Sequence, residues 1–492
     1  MRATAPRKAH DEREETAGNR HPTLIDRGSP SQIRGLFDQL RAEVKAEVEH
    51  LAARTARSLG ASNTGLETVE LALRAAMLHL GADLLEKLLA ADTGYRGPRI
   101  DCGHGHCAEF VSYRDKRLDT VLGRITLRRA YYHCRTCKRG VVPRDDELDA
   151  SGVSLSPGLR RMTARAAATQ PFAKASGLLA ELAGVPLSTK RVERSAEADG
   201  ATAEQRIRTE SRAIADGSVA VLPPATLPDK LYVAVDGTAV PMVPAATRGR
   251  PGKYPDGRAR TREVKLACLF TQTRLDPNGR PVRDPDSNSY LGTFAPAGEF
   301  ATLVRAEARR RGSDHIRQLI VLGDGAPWIW NLATTILPGA TQIVDLHHAR
   351  EHLHDLATQL APTLGDNQPS WLQARLNELD NGDIETLVHT AETLPLTDPD
   401  RITERDKALG CFKTNAQRMR YAYFRDLGMF VGSGAVEAGC KAVIGQRLKL
   451  SGMRWNIPGA TSILTLRCHE ASDRFDHIWH SPHNQTPTAL TA

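Results

Sequence analysis

Two apolar runs of this chain each end in an aspartate, which restricts the structures that they can form. Leu231–Val235 is followed by Asp236, and Leu319–Gly323 is followed by Asp324. Both runs have the length and composition of buried strands, and strand interiors disfavour aspartate. Each acid therefore either starts a turn or lies at a sheet edge, where it is available for chemistry.

A third acid, Glu437, lies in Gly432–Lys441, where a glycine-rich turn is predicted to enter a helix. Carboxylate oxygens are hard ligands suited to Mg²⁺ or Mn²⁺. Two such ions about 3.5–4 Å apart can act on the attacking and leaving oxygens of a phosphodiester. We therefore expect Asp236, Asp324 and Glu437 to form one metal site. The alternative is that the two aspartates only cap turns.

The composition is that of an ordinary soluble protein with an excess of basic residues. The 492 residues include 66 Lys and Arg against 58 Asp and Glu, a net charge of +8 that favours polyanionic partners. No apolar run approaches the roughly 20 residues needed to cross a bilayer, and the N-terminus lacks an apolar signal core. We expect no membrane association and a cytoplasmic location.

Composition and periodicity predict an α/β protein with several helical segments. The predicted segments are a disordered tail at 1–31, a helical pair at 32–95, a cysteine module at 96–150, helices and a linker at 151–229, an α/β region at 230–354, a helical segment at 355–428, a return to the α/β region at 429–475 and a tail at 476–492. The strands of the α/β region are predicted at 231–235, 264–271, 319–322 and 342–344, with some parallel pairing.

Four of the eight cysteines are clustered. Cys102, Cys107, Cys134 and Cys137 bracket a predicted hairpin with strands at 117–122 and 125–132. Two cysteine knuckles joined by a hairpin predict a ribbon-like Zn²⁺ site. The first knuckle has an unusually wide spacing and contains His104 and His106, so that a histidine can replace one thiolate. The alternative is free thiols or a labile redox pair. The scattered Cys268, Cys411, Cys440 and Cys468 are expected to be inert core residues.

Two basic segments are candidates for DNA contacts. Residues 172–195 resemble a helix-turn-helix, with Gly184 at the turn and Ser188 capping the second helix, so that Lys190, Arg191 and Arg194 would face a major groove. The alternative is an αα-hairpin within a bundle. Four more basic residues follow the third acid and are suited to phosphate contacts, unless they form a solvated helix face: Lys441, Arg447, Lys449 and Arg454.

Several of these motifs together resemble one family over about residues 100–470, the transposases of the bacterial Kra-type insertion sequences. These enzymes belong to the DDE class and have a ribonuclease-H-like catalytic domain. The matching segments are 235–241, 323–329, 344–353, 418–421 and 432–437, with the cysteine pairs and the Arg128–Tyr132 segment between them. The family usually has Cys-x-x-Cys in its first knuckle, so the wider spacing here leaves the zinc ligands open.

The resemblance implies a function and a role for each acid. Asp236, Asp324 and Glu437 correspond to the catalytic DDE acids, and the helical segment at 355–428 to an insertion before the final Glu. Asp345 and His348 are similar to the C/D(2)H signature, so that His348 either steers the DNA or only bonds to Asp345. The implied reaction is metal-dependent cleavage of double-stranded DNA at transposon ends, followed by strand transfer into target DNA. The implied assembly is a dimer or higher oligomer on nucleoid DNA.

Two other functions remain open at the level of sequence. A two-metal nuclease would use the same acids without strand transfer. A DNA-binding regulator would use only the zinc and helix-turn-helix modules, with a catalytically inert α/β domain. Mg²⁺-dependent cleavage distinguishes an enzyme from a regulator, and joined products distinguish a transposase from a nuclease.

Overall fold

The computed structural model describes residues 65–252 and 254–479, together with scattered helical residues between 34 and 53. The chain divides between Ser154 and Leu155 into two compact units. The predicted tail at 1–31 lies outside the described residues, as does the C-terminal tail beyond Trp479. Within the described ranges, no helix is both long and apolar enough to cross a membrane.

The N-terminal unit is built on four antiparallel strands in the order β1-β2-β3-β4. Its elements are α1 (Leu66–Ala90), β1 (Arg99–Asp101), β2 (Cys107–Asp119), β3 (Arg124–Cys134), β4 (Arg139–Val141) and α2 (Pro143–Glu147). β2 and β3 form the predicted hairpin, but β2 begins well before the predicted residue 117. Residues 111–115 are all exposed, so this part of the strand lacks the alternation by which a half-buried strand is recognised.

The two ends of this hairpin are covered by different parts of the unit. Near the turn, Leu118 and Ile125 pack with Ala82 of α1. Near the cysteines, the buried ring of Tyr132 packs with Ala108, and its hydroxyl donates a hydrogen bond to the carbonyl of Gly97 at 3.0 Å. The sheet therefore has two small cores, of which the second lies beside the cysteine cluster.

The C-terminal unit contains a five-stranded mixed sheet in the order β11-β10-β5-β6-β9. The strands are β5 (Lys230–Pro241), β6 (Thr261–Gln272), β9 (Ser289–Thr293), β10 (Gln318–Gly323) and β11 (Thr341–Val344), and a separate ribbon comprises β7 (Arg274–Leu275) and β8 (Pro281–Val282). β5, β10 and β11 are parallel, whereas β6 and β9 run antiparallel to their neighbours. The α/β class and the predicted parallel pairing are thus confirmed. The short β9 was not predicted.

Helices surround this sheet and fill the long insertion after β11. They are α3 (Pro157–Thr169), α4 (Phe172–Ala183), α5 (Thr189–Ala215), α6 (Ala297–Arg310), α7 (Pro327–Ile336), α8 (Leu346–Leu364), α9 (Gln368–Asn381), α10 (Ile384–Glu392), α11 (Pro399–Asn415), α12 (Tyr421–Asp426), α13 (Gly434–Gly439), α14 (Gln446–Leu448) and α15 (Ile457–Ala471). The predicted helical segment at 355–428 corresponds to α8 through α12, which separate β11 from α13.

The predicted helix-turn-helix belongs to the C-terminal unit. Gly184 ends α4 in the left-handed conformation, and the Ser188 side chain accepts a hydrogen bond from the N–H of Arg191 at the start of α5, as predicted. The second helix continues to Ala215, and Gly200 lies so close to α15 that an added Cβ would approach the carbonyl oxygen of Ser462 to 2.5 Å. One face of α5 therefore packs in the core of this unit.

A buried ion cluster joins α6, β9 and the end of the chain. Glu307 is 1% exposed and accepts hydrogen bonds from Ser289 at 2.8 Å and Arg474 at 2.9 Å. Arg310 and Arg311 lie within 3.5 Å of the same carboxylate. Burial opposes the charge of Glu307, but the surrounding arginines outweigh burial and lower its pKa to about 2. The ionised carboxylate thus balances the positive charges of three half-buried arginines.

Replacing Glu307 with Gln should destabilise the fold by about 3–5 kcal/mol at neutral pH, since it leaves three half-buried arginines without their buried counter-charge. A lowered pKa means that the contribution of the ionised group is complete above about 4.5 and is lost as the pH falls towards 2. Urea unfolding between pH 7 and pH 3 should therefore show a smaller loss of stability for the variant than for the wild type. Glu299→Gln, on the exposed side of α6, is the matched control. Parallel pH profiles for wild type and Glu307→Gln would contradict this account.

Candidate active site and cysteine cluster

Three aspartates lie side by side, one within β5 and the others directly after the ends of β10 and β11. Continuing the register of β5 and β10 places Asp236 beside Asp324. Continuing the register of β10 and β11 places Asp345 on the other side of Asp324, and the N–H of Asp345 donates a hydrogen bond to the carbonyl of Gly323 at 2.8 Å. Neighbouring strands are about 4.8 Å apart, and residues in register point to the same face. The sheet edge therefore carries a row of three carboxylates.

The first turn of α13 brings Glu437 to this row. One carboxylate oxygen of Glu437, one of Asp345 and a ring nitrogen of His348 lie within 4.8 Å of one another. The close approach of α13 requires Gly439, because an added Cβ there would come within 2.5 Å of the Tyr290 ring on β9. The helical insertion thus returns the chain to the sheet edge from which it left.

The residue after α13 contacts the first aspartate of the row. Cys440 begins a single π-helical turn, Cys440–Gly445, and its thiol donates a hydrogen bond to Oδ2 of Asp236 at 3.2 Å. Burial and the negative charge of Asp236 raise the pKa of the thiol, so that it stays protonated at neutral pH. Cys440 was expected to be an inert core residue, and its contact with Asp236 was not predicted. Its position three residues after Glu437, on the same helix face, is the sequence signal that could have identified it.

Asp345 and His348 form a buried, charged pair. Asp345 is fully buried, and its Oδ1 accepts hydrogen bonds from the backbone N–H of His348 at 3.0 Å and from the ring Nδ1 at 3.3 Å. Burial opposes the charge of Asp345, but the hydrogen bonds from His348 and Ser433 outweigh burial and lower its pKa to about 2. The bond to Asp345 raises the pKa of His348 to about 9, with smaller contributions from Asp236 and Glu351. At neutral pH, a positive imidazolium therefore faces the row of acids.

Each of the other two aspartates accepts a hydrogen bond from a nearby backbone N–H, but only Asp324 follows the end of its strand, because Asp236 lies within β5. Oδ1 of Asp324 accepts a hydrogen bond from the N–H of Ala326 at 2.9 Å, and Oδ1 of Asp236 accepts one from Gly237 at 2.6 Å. The predicted turn-capping role is therefore real for Asp324. These bonds fix the orientation of each carboxylate. A carboxylate that binds a metal ion is usually oriented by hydrogen bonds in the same way.

In the N-terminal unit, the thiols of Cys102, Cys134 and Cys137 and a ring nitrogen of His106 lie within 4.8 Å of one another. The Nδ1 of His106 is 3.3 Å from the sulfur of Cys137, which is itself 3.7 Å from that of Cys102. Three sulfur ligands and one imidazole form a donor set that Zn²⁺ adopts in tetrahedral structural sites. The residues present therefore fit a zinc ion.

This cluster contains a histidine of the first knuckle in place of one cysteine, the alternative that the sequence left open. Cys107 is exposed and begins β2, where it pairs with Asp101 of β1. The N–H of Cys102 donates to the carbonyl of His106 at 2.9 Å, which closes the knuckle one residue before Cys107. His106 therefore takes the place predicted for Cys107. His104 instead lies 3.2 Å from Arg139 and is not in the cluster.

Arg447 was predicted to contact DNA, and its burial contradicts this. Its side chain is 0% exposed, its Nε donates to the carbonyl of Ala167 at 2.8 Å, and its guanidinium lies 4.7 Å from the ring of Phe172 and 5.0 Å from that of Trp455. Burial lowers its pKa to about 10, so it remains charged. The segment after Glu437 forms a π turn and a short helix instead of a regular surface helix, and this directs Arg447 inwards.

The other predicted DNA-contacting residues are accessible to different degrees. Lys190 and Arg194 are exposed at the start of α5, where Lys190 also pairs with Glu193 at 2.8 Å, and Arg191 is half-buried. Lys441, Lys449 and Arg454 are exposed. The Lys449 ammonium donates a hydrogen bond to the hydroxyl of Thr238, which lies on the same face of β5 as Asp236. One exposed cation thus lies beside the row of acids.

Comparisons with known proteins add little to this geometry. No family model matches the chain. No curated protein matches it. Among solved structures, the Drosophila P element transposase strand transfer complex aligns with a TM-score of 0.30 and 9% identity, over 68% of this chain and 96% of that chain. So low a TM-score carries no argument, and the function has to be inferred from the site.

Substitutions can distinguish the two zinc ligand sets. His106→Ala and Cys134→Ser should lose bound zinc, because each removes one of four ligands, whereas Cys107→Ser should retain one ion per chain. The measurement is zinc content after dialysis, by mass spectrometry of the intact protein. Loss of zinc in Cys107→Ser with full occupancy in His106→Ala would restore the predicted cysteine set.

Proposed function

We propose that the protein is a DDE transposase that cleaves double-stranded DNA at transposon ends and joins the resulting 3′ ends to target DNA. The observation that carries the proposal is that Asp236 and Asp324 are in register on neighbouring strands, while Glu437 lies within 4.8 Å of Asp345, the next aspartate of the same row. The acids come from three distant segments of the chain, and the last reaches the edge only after the helical insertion. A turn-capping role alone does not account for a helix that returns a third carboxylate to the same place.

The sheet topology supports a ribonuclease-H-like catalytic domain. The first strand, β5, is central, with the antiparallel β6 and β9 on one side and the parallel β10 and β11 on the other. This order places Asp236, within β5, next to Asp324, which follows the end of β10, and these are the two aspartates assigned to the DDE set. The proposed fold and the proposed site thus depend on the same pairing.

The donor set at the edge fits Mg²⁺ or Mn²⁺, which prefer carboxylate oxygens. Asp236, Asp324 and Glu437 would hold the ions, and bound ions would stabilise charge on the attacking and leaving oxygens of the phosphodiester. The protein's own contribution is orientation: Gly237 and Ala326 fix the aspartates, and α13 fixes Glu437.

The charges around the row are arranged to receive a DNA strand. His348 is cationic and lies with Asp345 and Glu437, and Lys449 lies beyond Asp236. Both can contact phosphate, which is the role that we assign to Lys449. For His348, the bond to Asp345 favours a role in orienting the site, and its predicted role in steering DNA remains a proposal.

More distant DNA contacts are assigned to exposed cations. Lys190 and Arg194 lie at the exposed start of α5, and Lys441 and Arg454 follow α13. We further propose that two transposon ends are brought together by a dimer or higher oligomer, as the family resemblance implies. A nuclease that lacks strand transfer would share the geometry of the acids, so only the products of the reaction separate the two functions.

Replacing Asp236 with Asn should reduce DNA cleavage and strand transfer by at least about 10²–10³-fold while leaving DNA affinity nearly unchanged, since it removes a metal ligand without adding bulk. The assay follows labelled duplexes that carry the sequences flanking the gene, with Mg²⁺ or Mn²⁺ and a target plasmid. Asp229→Asn, an exposed acid just before β5, is the control. Cleavage without joined products would indicate a nuclease, and full activity of Asp236→Asn would exclude the proposed site.

A triple alanine substitution of Lys441, Lys449 and Arg454 should weaken DNA binding and flatten its salt dependence. Each lost phosphate contact should reduce the slope of log affinity against log salt by about 0.9. Fluorescence anisotropy with duplex DNA at several salt concentrations measures this slope. Arg280→Ala, at the exposed β7–β8 turn, should leave the slope unchanged. An unaltered slope in the triple variant would assign these residues to an ordinary solvated surface.

A further inference from the structure

The first and last residues of the helical insertion both lie beside the same residue, Asp345. Asp345 is the first residue after β11 and the N-cap of α8, where the insertion begins. At the other end of the insertion, the carbonyl of Val431 accepts a hydrogen bond from the N–H of Leu346 at 3.0 Å, and Gly432 and Ser433 lie beside the Asp345 carboxylate. The two ends of the insertion therefore meet at Asp345.

The two oxygens of Asp345 bind the two ends separately. Oδ1 accepts hydrogen bonds from the backbone and ring of His348, on the outgoing helix α8. Oδ2 accepts a hydrogen bond from the backbone N–H of Ser433, on the returning segment. Hydrogen bonds from N–H groups to a buried carboxylate belong to the strong class, and both oxygens are used. Asp345 thus clamps the returning segment to the outgoing helix.

The returning segment determines where Glu437 lies. Ser433 is the N-cap of α13, and its carbonyl accepts a hydrogen bond from the N–H of Glu437 at 3.2 Å. Only one helical turn thus separates the clamped N–H from the third acid. Because α13 has six residues and continues into a π turn, it has little rigidity of its own with which to hold this carboxylate. The position of Glu437 relative to Asp236 and Asp324 depends on the bond at Ser433.

We propose that Asp345 is a positioning residue of the active site: it does not react, but it holds Glu437 at the metal site by fastening both ends of the helical insertion. This inference rests on the proposed function, because it assumes that Asp236, Asp324 and Glu437 share bound metal. It also implies that the placement of the third acid is coupled to the docking of the insertion on the sheet.

Two substitutions separate the clamp from simple helix capping. Asp345→Ser retains a good N-cap for α8, so the bond from the N–H of His348 can persist, but serine has no second oxygen with which to bind Ser433. Asp345→Asn is nearly isosteric, but its amide N–H₂ group cannot accept a hydrogen bond. Either His348 or Ser433 therefore loses its acceptor. Asp398→Asn is the matched control, because Asp398 caps α11 within the insertion by accepting a hydrogen bond from Asp400 at 3.0 Å.

The test maps the bound metal directly. Fe²⁺ in place of Mg²⁺, with ascorbate and peroxide, cleaves the backbone near the ion, and the full-length wild type should be cut near Asp236, Asp324 and Glu437. In Asp345→Ser and Asp345→Asn, the cut near Glu437 should fall about tenfold or more while the cuts near Asp236 and Asp324 persist. Circular dichroism and thermal unfolding of each variant check that the fold is retained, and Asp398→Asn should be cut like the wild type.

The outcomes separate this inference from the proposed function. Undiminished cutting near Glu437 in folded Asp345→Ser would overturn the positioning role and leave the metal site intact. Absence of metal-dependent cuts near Asp236 and Asp324 in the wild type would overturn the proposed function, and the positioning role with it. Equal loss of all three cuts in the folded variants would also overturn the inference, since the clamp would then support the whole edge and not Glu437 in particular.

Discussion

The parallel pairing of β10 with β5 and β11 is the constraint on which the proposed site depends. The register of these parallel neighbours aligns Asp236, Asp324 and Asp345 at a spacing set by the backbone hydrogen bonds of the sheet. Three carboxylates at this spacing repel one another unless cations or donors are close. The structure supplies donors to each acid, a cationic His348 and an exposed Lys449, and bound divalent ions would complete the compensation.

The second constraint is topological, because a long helical insertion separates Glu437 from the sheet. The two ends of this insertion meet at a buried carboxylate, Asp345. Cys440 adds a second attachment by bonding Asp236 from the same short helical segment. Glu437 is therefore held between contacts at Ser433 and at Cys440, which explains how a six-residue helix can place one carboxylate reproducibly.

Features that depend on a short stretch of sequence could be predicted from the sequence alone. The apolar runs predicted β5 and β10, and Gly184 and Ser188 predicted the α4–α5 turn. Asp324 follows the end of its strand as predicted, whereas β5 continues past Asp236 to Pro241. The failures involve tertiary context. Arg447 lies in a segment that looks like a basic helix face, but two aromatic rings and a helix C-terminus bury it. His106 replaces Cys107 because the knuckle closes one residue early. The clamp at Asp345 required knowing that residues 345 and 433 are neighbours.

The central claim is that Asp236, Asp324 and Glu437 bind divalent metal together. Crystals of the protein with transposon-end DNA, grown with Mn²⁺, would test it through anomalous scattering. The account predicts two manganese peaks at the edge of the mixed sheet, about 3.5–4 Å apart, with ligands from all three acids. Occupied manganese sites elsewhere, with these three carboxylates bonded only to protein groups or water, would contradict it.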